Sequence, residues 1–356
     1  MNTLLIYLSF VMVGLLAMYI VYKPQCNKYE QTLSFSYAML PMPYIYTFYA
    51  IGSICAFFLL DNNDFIEPLT FERMLAPLIL TPAIYASCIF FSARYAFLIT
   101  GLCIAATVWL QPIGEGNPYP EIPVWALQFI IFAIALIFCL GNLILNFIPH
   151  TFLIPQITIL LGLSIMAFLG ATPLYTALCA AALIGALIGY LSINFYDVKI
   201  EIDNATTVSI SYMVFSLILL NIGEICLPSC LILTTVFWAE LIVAVLRKFF
   251  VSNAGSLSEN TNSYMAAQNL TVFGMTLNIL KVCGIIMFIA WFQLYAVNSY
   301  SLVIISLFIA LWLSSSMYQP NGGKRTLKEI NKDFIEDLKK SIAETKEVLN
   351  KNKDDK

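Results

Sequence analysis

The stretch Asn142-Leu-Ile-Leu-Asn-Phe-Ile-Pro149-His150, with the two apolar segments after it, the polar turn Tyr196 to Thr207 and then Ser211, decides how this chain folds. Pro155, Gly162, Gly185, Gly189 and Tyr190 punctuate the two apolar segments, and no charge interrupts them. Segments of this length and apolarity suit a bilayer, whose hydrocarbon layer of about 30 Å is crossed by roughly 20 helical residues. Asn142 and Ser211 sit just inside the apolar segments that flank this region, as isolated polar side chains.

The rest of the chain has the same character. Sixty per cent of the 356 residues are hydrophobic and only 11% are charged, with a mean hydropathy of +0.84. Such a composition excludes a soluble domain and predicts a polytopic membrane protein. In lipid every backbone polar group needs an internal partner, so a chain without short alternating segments must be helical. The expected fold is therefore all-α, a transmembrane bundle of about 10–11 spans.

Eleven apolar runs are legible: Thr3 to Tyr22, Pro43 to Leu60, Leu75 to Phe91, Tyr95 to Leu110, Val124 to Leu145, Phe152 to Leu169, Pro173 to Phe195, Thr207 to Gly223, Pro228 to Leu246, Thr271 to Val297 and Tyr300 to Tyr318. Leu75 to Leu110 reads either as two spans or as one long broken helix around Arg94. The first run is too long for a signal-peptide core and ends in Lys23-Pro24 without a small-residue cleavage site, so it reads as a span.

Orientation follows from the basic residues of short loops. With the N-terminus outside, the inner loops hold Lys23, Lys28, Arg94, Lys199, Arg247 and Lys248. The outer loops hold Asp61, Asp64, Glu67, Glu72, Glu115, Glu121 and Glu224, with Arg73 the single base. This predicts an N-terminus outside and a C-terminus on the cytosolic side. It also places Asn142 and Ser211 at similar depths, about one to two helical turns inside the inner boundary.

Residues 1–318 form the expected membrane domain, and Gln319-Pro320-Asn321-Gly322-Gly323 is a helix breaker at 319–323. From 324 to 356 the chain changes, taking ten of the eighteen basic residues. Leu327, Ile330, Phe334, Leu338, Ile342 and Leu349 recur at helical spacing among Lys and Glu, the pattern of a cytosolic amphipathic helix. Its apolar face fits a cytosolic partner, the face of the bundle or the membrane surface.

Few other side chains offer chemistry. The nine cysteines include no CxxC pair, and the single histidine, His150, has no evident partner, so a metal site has no spacing to support it. Cysteines in apolar runs read as small buried hydrophobes, although Cys226 and Cys230, flanking Pro228, are near enough in sequence for a disulfide in an oxidising compartment. No motif implies a cofactor, and the net charge of -3 gives no reason to expect a nucleic-acid partner. Two charges, Glu240 and Lys281, fall near the middle of spans; the economical reading is an intramembrane ion pair, and the functional one is an ion or proton path that would make the chain a membrane transporter.

Taken in order, several pieces resemble the type IV prepilin peptidases, bifunctional inner-membrane aspartic proteases that cleave prepilin leaders and N-methylate the new terminus. Gly14-Leu-Leu-Ala-Met-Tyr-Ile-Val-Tyr-Lys-Pro24 is similar to the family's opening GSFLNVVIxRxP, and Ser92-Ala93-Arg94-Tyr95 to its SxRYP, with Ala96 in place of the proline. Ile148-Pro149, Pro155 and Gly162 follow IPxxLTLPxxxxGL, and Gly185-Ala-Leu-Ile-Gly189-Tyr190 follows GAxxGY. Gly223 and Leu227-Pro228 resemble the LGW and LP stretch. The resemblance implies a multi-pass protein of the bacterial inner membrane that meets pilin-like or secretion-system proteins.

It also implies a dyad of aspartates that this chain lacks. The family's first aspartate stands seven residues before the IP proline, where Asn142 stands here. The second ends a GxGxGD motif, and Thr206-Thr-Val-Ser-Ile-Ser211 has neither glycine nor acid. The family's cytosolic loop with two CxxC pairs is absent. An aspartic protease needs one carboxylate to accept a proton from water while the other holds one; Asn142 cannot do this, and Ser211 is a poor base without a neighbouring His or Lys. Asp197, Glu201 and Asp203 are the nearest candidate substitute acids, otherwise read as solvated turn charges. The expectation is a degenerate, catalytically inactive relative serving as a scaffold, with leader cleavage through substitute acids as the enzymatic alternative.

Overall fold

Among the described residues eleven α-helices match the eleven apolar runs, and no strand occurs. The computed structural model describes residues 2–23, 41–61, 68–110, 123–145, 149–193, 202–220, 227–250, 272–295 and 301–317. In chain order the helices are α1 (Asn2–Ala17, continued by a π-helical turn at Met18–Tyr22), α2 (Met42–Asp61), α3 (Pro68–Phe90), α4 (Ala93–Trp109), α5 (Val124–Leu145), α6 (Pro149–Phe168), α7 (Leu174–Ile193), α8 (Asn204–Leu219), α9 (Leu227–Phe250), α10 (Val272–Tyr295) and α11 (Ser301–Met317). The 319–323 breaker and the 324–356 tail lie outside the described residues.

Four of these helices are long and apolar enough to cross a membrane, over Leu4–Val21, Met42–Leu59, Val124–Leu143 and Leu174–Ile193. Their outer surfaces suit lipid: Trp125 and Phe129 on α5 and Phe58 on α2 are largely exposed, and an apolar surface of this extent would be a liability in water.

One open alternative is resolved and one boundary moves. Leu75 to Leu110 forms two helices, because the chain turns extended at Ser92 (φ -64°, ψ 156°) between α3 and α4. In addition, α3 begins at Pro68, so Glu72 and Arg73 belong to a helix and not to a loop. Proline is well tolerated at a helix's first position, where its missing N–H would have no partner anyway.

At the centre lies α7, with every residue from Tyr175 to Tyr190 except Ile188 buried. Against it pack α1, α2 and α6. Small side chains permit the close approach, as is usual where van der Waals contact and not water expulsion holds helices together. A Cβ placed at Gly14 of α1 would lie 2.9 Å from the Ala186 nitrogen, and one at Gly189 would lie 2.6 Å from the Met18 Cβ. Gly185 rests on the Val11 carbonyl, and Gly52 of α2 rests on Ala182. Of the glycines quoted for the resemblance, Gly14, Gly162, Gly185 and Gly189 are contact points between helices, and Gly223 lies outside the described residues.

A second buried helix, α8, has all residues from Ala205 to Leu219 shielded and is covered mainly by α3 and α5. Phe138 of α5 joins it to α9, with ring centroids 5.4 Å from Phe215 and 4.6 Å from Phe237. Thr107 of α4 donates to the Cys103 carbonyl at 2.9 Å, so the Tyr212 hydroxyl is the donor in the 2.6 Å bond between Thr107 and Tyr212. Tyr212→Phe removes that one interhelical donor and leaves Thr107 bonded; it should cost about 1 kcal/mol in a reversible unfolding titration in micelles. The remaining helices α9, α10 and α11 pack on one another, and α10 joins them to α6.

Candidate functional site

Asn142 lies in the last turn of α5 and is 1% exposed. Its Nδ2 donates to the Phe138 carbonyl at 2.8 Å, one turn back in its own helix. Its Oδ1 accepts from Gln156 Nε2 of α6 at 3.3 Å. Gln156 is itself fully buried, and its Oε1 has no hydrogen-bond partner among the described residues. The residues therefore form an amide pair bridging two helices, and Asn142 is already bonded on both its donor and its acceptor side.

Ser211 sits in the middle of α8, fully buried. Its hydroxyl donates to the Thr207 carbonyl at 2.7 Å, the one-turn-back bond by which a serine satisfies itself inside a helix. Although α5 and α8 pack together, the hydrogen bonds of Asn142 and Ser211 run to other partners. Thr206 to Ser211 is continuous helix with every side chain buried. The β-branched Thr206, Thr207, Val208 and Ile210 keep this segment stiff.

Of the substitute acids, Asp197 and Glu201 lie outside the described residues. Asp203 is half-buried and caps α8. One carboxylate oxygen accepts from the Thr206 backbone N–H at 3.0 Å, and the other accepts from the Thr206 hydroxyl. This is the ordinary N-cap arrangement, in which a short acid satisfies donors that the first turn leaves open. Tyr85 and Cys88 of α3 lie within electrostatic range of the carboxylate. Asp203→Ala should lower stability by about 1 kcal/mol, measured by thermal unfolding in detergent.

Glu240 is buried on α9, whereas Lys281 is exposed on α10; this difference in burial gives the expected ion pair no support. Glu240 lies instead within electrostatic range of Cys283, beside Thr158 of α6. Cys226 lies outside the described residues, as do the contacts of the His150 side chain. Among the described residues no three or more His, Cys, Asp or Glu side chains are grouped to hold a metal ion.

Two features escaped the sequence reading. The first is Gln156, whose signal was an amide in an otherwise apolar run, directly after Pro155. The second is a buried polar group at the α2–α7 contact, where Tyr49 and Ser53 meet Tyr175 and Cys179; its hydroxyls and thiol passed as ordinary members of apolar runs. No model of a known protein family and no curated protein matches this chain.

Proposed function

We propose that this chain is a multi-pass protein of the bacterial inner membrane, with eleven spans, a periplasmic N-terminus and a cytosolic C-terminus, and that it acts as a catalytically silent scaffold. Its resemblance to the type IV prepilin peptidases suggests pilin-like or secretion-system proteins as the partners. The amphipathic tail, through Leu327, Ile330, Phe334, Leu338 and Ile342, is the proposed cytosolic contact.

One observation carries the reading. Where the family keeps its two aspartates, this chain has Asn142 bonded to Phe138 and Gln156, and Ser211 bonded to its own helix, both shielded from solvent. Neither group is free to hold an attacking water, and Asp203, the one substitute acid among the described residues, is engaged as a helix cap.

The test is direct. Membranes carrying the protein are incubated with a prepilin, and the mass of the prepilin is followed beside a family member that cleaves. An unchanged mass is expected, and release of the leader would overturn the reading. Asn142→Ala together with Ser211→Ala should leave assembly of the pilin-like system intact, whereas deleting 327–349 should abolish it; the opposite pattern would move the function back into the bundle.

A further inference from the structure

Lys281 stands on the exposed side of α10, in line with apolar neighbours. Leu277, Gly284 and Trp291 are spaced by seven residues, as are Lys281 and Phe288, and all five are exposed. This repeat draws a stripe along one face, the pattern that packs against a second helix. The opposite face of α10, with Ile279, Cys283 and Ile286, is buried in the bundle. A Cβ built at Gly284 meets nothing within 4 Å, so the stripe has an open notch one turn from the lysine.

The depth of Lys281 makes its exposure informative. With 24 residues, α10 is about 36 Å long, against a hydrocarbon layer of about 30 Å. Lys281 is the tenth residue, about 13 Å from the start of the helix. In a centred helix it sits about 10 Å below the hydrocarbon boundary, a gap that the lysine stem shortens but does not close. An ammonium group facing lipid at that depth is among the least favourable arrangements known in a membrane, and such residues ordinarily meet an opposite charge.

We propose that this stripe of α10 is a docking surface for one transmembrane helix of a partner protein, and that the partner helix carries an Asp or Glu at the depth of Lys281. The inference rests on the eleven-span reading above and is independent of catalytic silence. Charge selects the occupant. In the described helices the only acids are Asp61, Glu72 and Glu240. Asp61 ends α2, Glu72 lies in the second turn of α3, and Glu240 is buried, so among the described helices a second copy of this chain offers no exposed carboxylate at the required depth.

The experiment uses the full-length protein in phosphatidylcholine vesicles with dansyl-labelled single-span probes of leucine and alanine. One probe carries a glutamate at the depth of Lys281 and the other a leucine, and energy transfer from the protein's tryptophans reports association. The glutamate probe should bind roughly tenfold more tightly. Lys281→Met should remove that preference, Lys281→Arg should keep it, and Lys281→Glu should transfer it to a lysine probe. Equal binding of the two probes, or a preference that survives Lys281→Met, overturns the proposal. Self-association that Lys281→Met abolishes would identify a second copy as the occupant and overturn it too. Fast maleimide labelling of Lys281→Cys from water would remove α10 from the bilayer and sink the inference, while the prepilin assay would stand unaffected. Unchanged melting of Lys281→Met is the control for folding.

Discussion

Gly185→Ala should be among the most damaging single-methyl changes at the described glycines, lowering stability by about 3 kcal/mol. The added Cβ would fall on the Val11 carbonyl oxygen and within 3.0 Å of the Val11 carbonyl carbon. These are backbone atoms, so relief requires moving α1 away from α7 and loosening the contacts at Gly14 and Gly189 as well. Gly162→Ala meets only the flexible end of Leu233, at 2.5 Å and 2.6 Å from its methyl carbons, and should cost about 1 kcal/mol. Gly101 has nothing within 4 Å of its notional Cβ, and Gly101→Ala should be neutral or gain about 0.5–1 kcal/mol from better helix propensity. Reversible unfolding in mixed micelles measures all three. If Gly185→Ala behaves like Gly101→Ala, the close α1–α7 contact is wrong.

The second large effect concerns Asn142. Asn142→Asp, the acid that the proposed resemblance to aspartic proteases would call for, should destabilise the protein by about 3 kcal/mol near neutral pH. An ionised carboxylate cannot donate to the Phe138 carbonyl and would face it in a site that is 1% exposed. Acidification should recover part of the loss, because a protonated carboxyl offers a donor again. Replacing Asn142 and Gln156 together by leucine should be milder than Asn142→Asp, since removing both partners leaves no buried polar group unmatched. The double change Asn142→Asp and Ser211→Asp should yield no leader cleavage, because residue 211 remains locked in the continuous buried helix α8. Cleavage by that variant, or stability equal to wild type at pH 7, would contradict the description of this site.

How far these features were legible follows from what each depends on. A long, predominantly apolar run has only one good conformation in lipid, so all eleven helices among the described residues were readable from composition and length, including the two whose runs carry Glu240 and Lys281. Boundaries were harder: Glu72 and Arg73 looked like loop residues because charge was taken to mark solvent, whereas Pro68 had already opened α3. Gly14, Gly185 and Gly189 could be recognised as small residues that allow close packing, but not which helix each would meet. That depends on contacts between residues far apart in the chain. Asp203 was read from its charge, yet its role comes from the three residues to Thr206. Gln156 went unread because its meaning lies entirely in Asn142, fourteen residues earlier and on another helix.

The seat of α7 between α1, α2 and α6 also has a consequence in time. Gly14 is made 171 residues before Gly185, the difference of their positions. At a synthesis rate of about 5–20 residues per second, α1 waits roughly 10–35 s for its principal neighbour. During that interval its glycine face is open to lipid, to other nascent helices or to membrane chaperones. The ribosome's pace thus sets a window in which the bundle can be misassembled or handed to quality control, and slowing translation between α2 and α7 should lengthen it.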